Sequence, residues 1–405
     1  MTTNRPHSRW RRRLGVVGTI AASVALGACG SSSHRTTPTT PAATPRTIPS
    51  GVPIKVMIAG TLDGPTELPE LPHGAEAAAD QINAEGGVKG RPIDVIVCDD
   101  NNPSPDACAR KAVSEHVAAV VGSQSNGINP ILEASGIPQV GPYPFINDDY
   151  TQPNSFPVSA GSAAAGGAVK LLAGLGIHKI VPLALTGASA TSTAVSFMQQ
   201  TAAKTPGITI SSTIGLPFPS TDLSAEVSKA ASSGAEAMVV LAFPTQNVQV
   251  LQAARAAGVT QKLVFSSATF PQALVDHLKS AANGVYTISS FLPVSSTAPA
   301  MQRFNREMAK YAPGQELSDI SLNSWAAMQT FAIAATHART IDARGITRVL
   351  PTLGTIELGV TAPFSFAHAG ALSTAPRVVN LGTFGGVVKN GVITALSSTP
   401  TPAYP

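Results

Sequence analysis

The loop Gly122–Gly127, which reads GSQSNG, places two serine hydroxyls and an amide side chain directly after an apolar segment. A short helix is predicted to begin near Asn129, so the loop leads into a helix N-terminus. Backbone N–H groups and hydroxyls at such a position bind carboxylates and other anions. The loop therefore predicts a ligand-binding site that includes Ser123, Ser125 and Asn126. The alternative is that Ser125 or Asn126 only caps the helix.

The sequence contains no complete catalytic motif. A nucleophile elbow would need serine where Gln124 stands. The segment Gly174–Lys179 begins like a dinucleotide fingerprint, but it lacks the third glycine and precedes a strand. No Walker A sequence occurs, and no two histidines have the spacing of metal ligands. Asp99 and Asp100 could form an acidic pair, although adjacent acids at a strand end are typical of loops and caps. The sequence thus predicts no catalytic residues, no cofactor and no metal site.

The segment Gly74–Asp100 (GAEAAADQINAEGGVKGRPIDVIVCDD) shows how the binding loops would be positioned. Its first part has apolar residues at helical spacing. Gly86-Gly87 ends that helix, because glycine adopts the left-handed C′ conformation at little cost. Ile93–Val97 is then a nearly continuous apolar run, which is typical of a strand buried on both faces. A helix leading into such a strand predicts a parallel α/β sheet.

Two successive series of strands and helices follow this pattern, the first over about 54–159 and the second over about 163–289. They predict an α/β protein with two doubly wound, Rossmann-like lobes. The region after 298 has helical apolar stripes, and the tail 378–396 contains turn signals between short strands. Ligands of open α/β sheets bind beyond the carboxyl ends of the strands, so the loops at those ends are the expected site.

The N-terminus resembles a bacterial lipoprotein signal. Five arginines precede the apolar stretch Leu14–Leu26, and Leu26-Gly27-Ala28-Cys29 matches a lipobox. We predict a signal peptide over 1–28, lipidation of Cys29 and a disordered Ser/Thr/Pro tether over 29–51. The alternative is a plain transmembrane anchor, for which the apolar run is short. Losing five of the 27 basic residues leaves 22 against 23 acidic ones, a net charge of about −1. Nucleic acid is therefore not an expected partner.

Cys98 and Cys108 are the two cysteines that remain. Thiol pairs outside the cytoplasm are usually oxidised. The sequence therefore predicts a disulfide between the end of a strand and the first turns of the next helix, and the alternative is two buried free thiols.

The order "DGP", "GAEAAADQINAEGGVKGRPIDV" and "DD" resembles the type I periplasmic-binding-protein family, in its branched-chain amino acid class. The resemblance implies a two-lobed receptor of an ABC transporter that captures a small molecule by hinge closure and then docks on a permease. It implies an N-terminal lobe of 52–160 plus 290–360 and a C-terminal lobe of 161–289 plus 361–396. It also implies a location on the extracytoplasmic face of the cell membrane, held by the lipid anchor.

The loops at the strand ends contain the candidate ligand contacts, which are Ser123, Ser125, Asn126, Tyr143, Phe145, Ser189, Phe243 and Ser267. The chain departs from the family at two of these ends. Thr186–Ser189 has no tyrosine, and Ser266–Thr269 has no acid to neutralise a ligand ammonium, whose unpaired burial is costly. Asp63 or Glu67 would have to supply that charge. The expected ligand is therefore an amino acid, an amide or a small organic acid.

Three rival hypotheses stay open. A sensory lipoprotein would use the same fold without transport. An extracytoplasmic enzyme would turn over a substrate, and a structural protein of the cell envelope would bind no small molecule.

Overall fold

The computed structural model describes residues 49–63, 67–101 and 104–404. The predicted signal peptide, Cys29 and most of the predicted tether lie outside these residues. Within the described part of the chain, no helix is long and apolar enough to cross a membrane.

The first sheet has five parallel strands in the order β2-β1-β3-β4-β5. Its strands are β1 (Ile54–Gly60), β2 (Ile93–Asp99), β3 (Val120–Val121), β4 (Gln139–Val140) and β5 (Ser155–Phe156). The helices that connect them are α1 (Leu71–Ala84), α2 (Pro105–Ser114), α3 (Asn129–Ala134) and α4 (Asn147–Thr151). Because the strands are parallel, all their carboxyl ends lie at one edge, where the Ser123 and Tyr143 loops emerge.

The prediction that Ile93–Val97 is buried on both faces is confirmed only in part, because Val95 and Val97 pack against one hydrophobic core and Ile96 against another, but all three are only partly buried. This strand, β2, lies at the edge of the sheet, and only Ile93 and Cys98 within it are buried. The strand buried along almost its whole length is β1, which pairs with both β2 and β3. An apolar run shows that a strand packs against something, but only strand order decides whether it has one neighbour or two.

The second sheet is larger, with order β13-β12-β11-β10-β9-β6-β7; β8 also pairs with β6, and β14 with β12. Its strands are β6 (Lys179–Leu185), β7 (Thr209–Ile210), β8 (Ile214–Leu216), β9 (Ala237–Leu241), β10 (Lys262–Ser266), β11 (Tyr286–Ser289), β12 (Gly382–Lys389), β13 (Val392–Ala395) and β14 (Thr401–Pro402). The helices that accompany it are α5 (Ala165–Gly174), α6 (Ser189–Ala203), α7 (Ser224–Ala231), α8 (Pro244–Ala256) and α9 (Gln272–Leu278).

The predicted α/β architecture with two wound sheets is therefore confirmed. The hairpin of β12 and β13 joins the second sheet as antiparallel strands, so the C-terminal tail returns there. The exact lobe boundaries stay predictions. Phe366, which lies beyond the predicted boundary at 361, packs edge-on against Phe156 of the first sheet, with ring centroids 5.4 Å apart.

Three further helices follow the second wound series: α10 (Pro299–Tyr311), α11 (Asp319–His337) and α12 (Ala343–Val349). Helix α11 packs into the first lobe against α1 and the ends of β3 and β4. Three glycines approach it too closely to accept a Cβ atom: Gly74, Gly122 and Gly141. They meet one face of the helix at Ser321, Ser324 and Ala327. The small residues let α11 lie directly on the cleft edge of the first sheet.

The structure contains a disulfide between Cys98 and Cys108, whose Cα atoms are 5.8 Å apart. It joins the end of β2 to α2 across a sequence separation of 10 residues. We expect the Cys98→Ala/Cys108→Ala variant to lose about 3 kcal/mol of unfolding free energy, since the open loop gains entropy in the unfolded state. Urea unfolding of the oxidised protein and the variant measures this difference. Equal midpoints and slopes would contradict the expectation.

Candidate ligand-binding site

Ser123 joins three strand ends of the first sheet. Its hydroxyl oxygen accepts a hydrogen bond from the Ala59 N–H at 2.8 Å, and its carbonyl oxygen accepts one from the Tyr143 N–H at 2.9 Å. The side chain is only 1% exposed. Ser123 therefore fixes the loops after β1, β3 and β4 relative to one another.

Ser125 has the free hydroxyl of this loop. Its side chain is 4% exposed, and no described residue forms a hydrogen bond with its Oγ atom. Leaving a buried hydroxyl unpaired costs about 1–3 kcal/mol, so this group favours a polar partner. Asn126, by contrast, is exposed at the surface of the loop.

The acids near the end of β2 hold a loop. Asp99 accepts a hydrogen bond from the Leu62 N–H at 3.0 Å, and Asp100 accepts one from the Thr61 hydroxyl at 2.8 Å. Asp63 is exposed and accepts a hydrogen bond from the Asn101 amide at 2.8 Å. These carboxylates therefore shape the segment after β1.

The predicted contacts of the second lobe differ in their surroundings. Ser267 is 9% exposed, and its N–H donates to the Ile288 carbonyl oxygen at 3.0 Å. Phe243 packs edge-on against Phe218, with centroids 5.5 Å apart. Ser189 is exposed in the first turn of α6. Of these positions, the turn after β10 approaches the first lobe, because Ala268 packs against its core.

Four polar side chains meet where the carboxyl ends of the two sheets face each other, and we call this group the polar junction. Its members are Tyr143, Ser266, Ser289 and Asp319. The Ser289 hydroxyl donates to the Asp319 carboxylate at 2.5 Å. Burial, and next the Asp319 carboxylate, raise the pKa of the Tyr143 hydroxyl, while the Ser266 hydroxyl opposes that rise. The junction brings side chains from both sheets to one place.

Asp319 is the functional candidate that sequence reasoning missed. Burial raises the pKa of its carboxyl to about 7, against the opposing hydrogen bond from Ser289. In the sequence, Ser318-Asp319 is a helix start, and Ser318 does cap α11 by accepting from the Ser321 N–H at 3.3 Å. The residues around Asp319 therefore indicate only a helix cap. The packing of α11 against Gly74, Gly122 and Gly141 positions the Asp319 carboxyl group at the polar junction.

Asp149 supports the loop that contains Tyr143 and Phe145. Its carboxylate accepts hydrogen bonds from the backbone N–H groups of Phe145 at 3.1 Å and Ile146 at 3.4 Å. Asp149 is 2% exposed, and burial raises its pKa to about 7 despite those hydrogen bonds. Phe145 itself is partly buried. The predicted contact at Phe145 thus depends on a carboxyl group beneath the loop.

This burial predicts a pH dependence of stability. Because the pKa of Asp149 is raised on folding, the unfolded chain releases this proton first. The contribution of the protonated Asp149 carboxyl to the free energy of unfolding is complete below about pH 4. It decreases as pH rises towards 7, by at most about 1.4 kcal/mol per pH unit. Urea unfolding from pH 4 to 8 should show a shallower slope for Asp149→Asn than for the parent protein. Identical slopes would contradict the prediction.

A separate cavity of about 660 Å³ lies at the opposite edge of the first sheet. Residues around the ends of α2 and α3 line it together with α12, including His116, Ile137 and Arg348. It is on the amino-end side of the strands, away from the polar junction. Among the described residues, no three His, Cys, Asp or Glu side chains are grouped to hold a metal ion.

Two wound sheets with polar groups converging at their facing ends define a binding protein. A family model described as periplasmic binding protein matches residues 53–385. The chain therefore belongs to the periplasmic binding protein family. Its members are substrate-binding proteins and not enzymes, which confirms the functional class predicted here, and the family implies an extracytoplasmic location.

Individual comparisons agree with this family and with the type I fold. A Leu/Ile/Val-binding protein homolog 7 of Brucella abortus is 24% identical over 341 residues, 78% of this chain and 84% of that protein. A fatty acid ABC transporter substrate-binding protein from Thermomonospora curvata has TM-score 0.71 at 16% identity, covering 87% and 93% of the two chains. A branched-chain amino acid transporter substrate-binding protein of Streptococcus pneumoniae, in complex with isoleucine, has TM-score 0.68 at 20% identity, covering 85% and 99%.

Proposed function

We propose that this protein is a lipid-anchored, substrate-binding component of an ABC importer that captures a small polar molecule, a branched-chain amino acid or a related compound. The observation that carries the proposal is the polar junction, where side chains from both sheets meet. The ligands for which its relatives are named, branched-chain amino acids and fatty acids, both contain a carboxylate. The buried, unpartnered Ser125 hydroxyl is suited to bind such a group.

Capture would occur by closure of the predicted lobes, 52–160 with 290–360 and 161–289 with 361–396. Closure requires contacts that a ligand makes only in the closed state, since otherwise the equilibrium does not shift. A ligand held between the Ser125 loop and the turn after β10 meets this condition, because the two belong to different sheets. The closed form would then dock on the permease.

Thermal unfolding of the protein from residue 49 onward, with amino acids, amides and small organic acids, tests the binding proposal. A ligand at 100 times its Kd stabilises by about 2.7 kcal/mol, so a hit gives a clear rise in Tm. We expect Ser125→Ala to weaken binding about tenfold, the value of one hydrogen bond to a charged group. Ser196→Ala, at an exposed position on α6, should bind normally. No Tm change with any compound would argue against this function.

The import and anchoring parts of the proposal need their own tests. Incorporation of a labelled fatty acid into the full chain should be lost in Cys29→Ser, and unchanged labelling would exclude the lipobox interpretation. Ligand uptake by cells should depend on both the protein and its permease. Uptake that persists without the protein, with ligand binding intact, would instead favour the sensory role.

A further inference from the structure

We propose that Asp319 is the counter-charge for a protonated amine of the ligand, and that it selects zwitterionic and cationic compounds over neutral and anionic ones. This inference rests on the proposed function, because it assigns the ligand class of the same site. The loops after the second-sheet strands contain no acid for this purpose. Asp319 would provide it from α11, a helix that packs into the first lobe.

The first step of the argument is the hydrogen bonding of the carboxylate. Asp319 is partly buried, and its Oδ2 atom accepts from Ser289. No described residue donates to its Oδ1 atom, although an ionised carboxylate has about four lone-pair sites. The residue keeps part of its surface exposed. The carboxylate therefore has one oxygen held by Ser289 and one oxygen that no described residue holds.

The second step is the charge around it. The described residues contain three ion pairs, and none of them involves Asp319. Tyr143 faces it from the loop after β4, and Ser289 from β11. Near the start of the same helix, Glu70 accepts from Ser318 at 3.4 Å and interacts with Glu316. The described residues thus pair no cation with Asp319, and Tyr143 is the titratable group that faces it.

The third step is proton coupling. Burial raises the pKa of Asp319 to about 7, so part of the carboxyl population is protonated near neutral pH. An ammonium beside it stabilises the charged form and lowers that pKa, so binding releases a proton. As pH falls below 7 the protonated form predominates, and affinity should fall by up to about tenfold per pH unit.

The test uses three probes of similar shape: leucine, its des-amino analogue 4-methylpentanoate, and 3-methylbutylamine. Calorimetry with the protein should show binding of leucine, weaker binding of the amine, and weaker binding again of 4-methylpentanoate. In Asp319→Asn the affinity for leucine should fall at least 100-fold, while that for 4-methylpentanoate is unchanged. Asp94→Asn, an exposed acid on β2, is the matched control and should bind leucine normally.

A second measurement needs no variant. Titrations of the parent protein at pH 7 in buffers of different ionisation enthalpy should show a net release of protons when leucine binds. Equal affinity for leucine and 4-methylpentanoate, or full leucine affinity in folded Asp319→Asn, would overturn this inference and leave the proposed function standing. If neither the three probes nor any other compound in the screen bound, both this inference and the proposed function would be overturned.

Discussion

Replacing Gly74 with alanine should lower the free energy of unfolding by about 3 kcal/mol, because the added methyl group has no space. A Cβ atom at this position would overlap the backbone carbonyl oxygen of Ser321, and backbone atoms cannot move aside as a flexible side chain does. The helices α1 and α11 must then separate. Urea unfolding of the variant and the parent protein measures the loss.

The control for this prediction is Gly174→Ala. Gly174 is the last residue of α5, and a Cβ atom there would meet no atom within 4 Å. Alanine favours the helix over glycine by up to about 1 kcal/mol, so this variant should be as stable as the parent or more so. If both variants were equally stable, the close packing of α1 on α11 would not be as described here.

Trp325→Ala should cost about 3–5 kcal/mol, the range for removing a large buried aromatic side chain. Trp325 is 2% exposed, packs edge-on against Phe304 with centroids 5.8 Å apart, and donates through Nε1 to the Glu307 carboxylate at 2.6 Å. The substitution leaves a cavity and removes a hydrogen bond from a carboxylate that is 5% exposed. Arg303 still pairs with Glu307 at 2.6 Å, so that charge is not left without a partner.

Trp325→Phe separates the two contributions. Phenylalanine keeps part of the aromatic volume but has no N–H group, so this variant should lose about half as much stability as the alanine variant. Unfolding monitored by circular dichroism gives both values under the same conditions. An alanine variant within 1 kcal/mol of the parent would contradict the role of Trp325 in anchoring α11.

Both substitutions act on the helix that brings Asp319 to the polar junction, so they should also affect ligand binding. A shift of α11 changes the distance between Asp319 and Ser289, which is now bridged by a 2.5 Å hydrogen bond. The geometry of a binding site depends on the contacts that support its ligand-binding side chains. We therefore expect the remaining folded Gly74→Ala protein to bind leucine more weakly than the Gly174→Ala control.

Much of the local structure could be predicted from the sequence. The sequence predicts a strand over Lys179–Leu185 and a helix over Asn129–Ala134, and the bounds of β6 and α3 agree with both, because their start and stop signals are local. The sequence also predicts one strand over Ile208–Leu216, but the structure has two short strands there, β7 and β8, which pair with different parts of β6. Propensity indicated extended backbone there, but only pairing shows where a strand is interrupted.

The candidate site was predicted less completely. The loops at the strand ends followed from the rule for parallel sheets, and Ser125 and Tyr143 lie in them. The different roles of Ser123 and Ser125 could not be read from a GSQSNG segment. Which hydroxyl meets the Ala59 N–H and which stays unpartnered is decided by the position of β1 beside the loop.

The sequence alone determined the α/β class, the succession of two wound series, the cysteine pair and the likeness to binding proteins. These depend on periodicity, turn residues and spacing, which are properties of neighbouring residues. The tertiary structure decided that β2 is an edge strand and that Asp319 stands at the polar junction. Burial, hydrogen bonding and local charge depend on which distant segments meet, so the acid that the loops lack became visible only when α11 was packed against the first sheet.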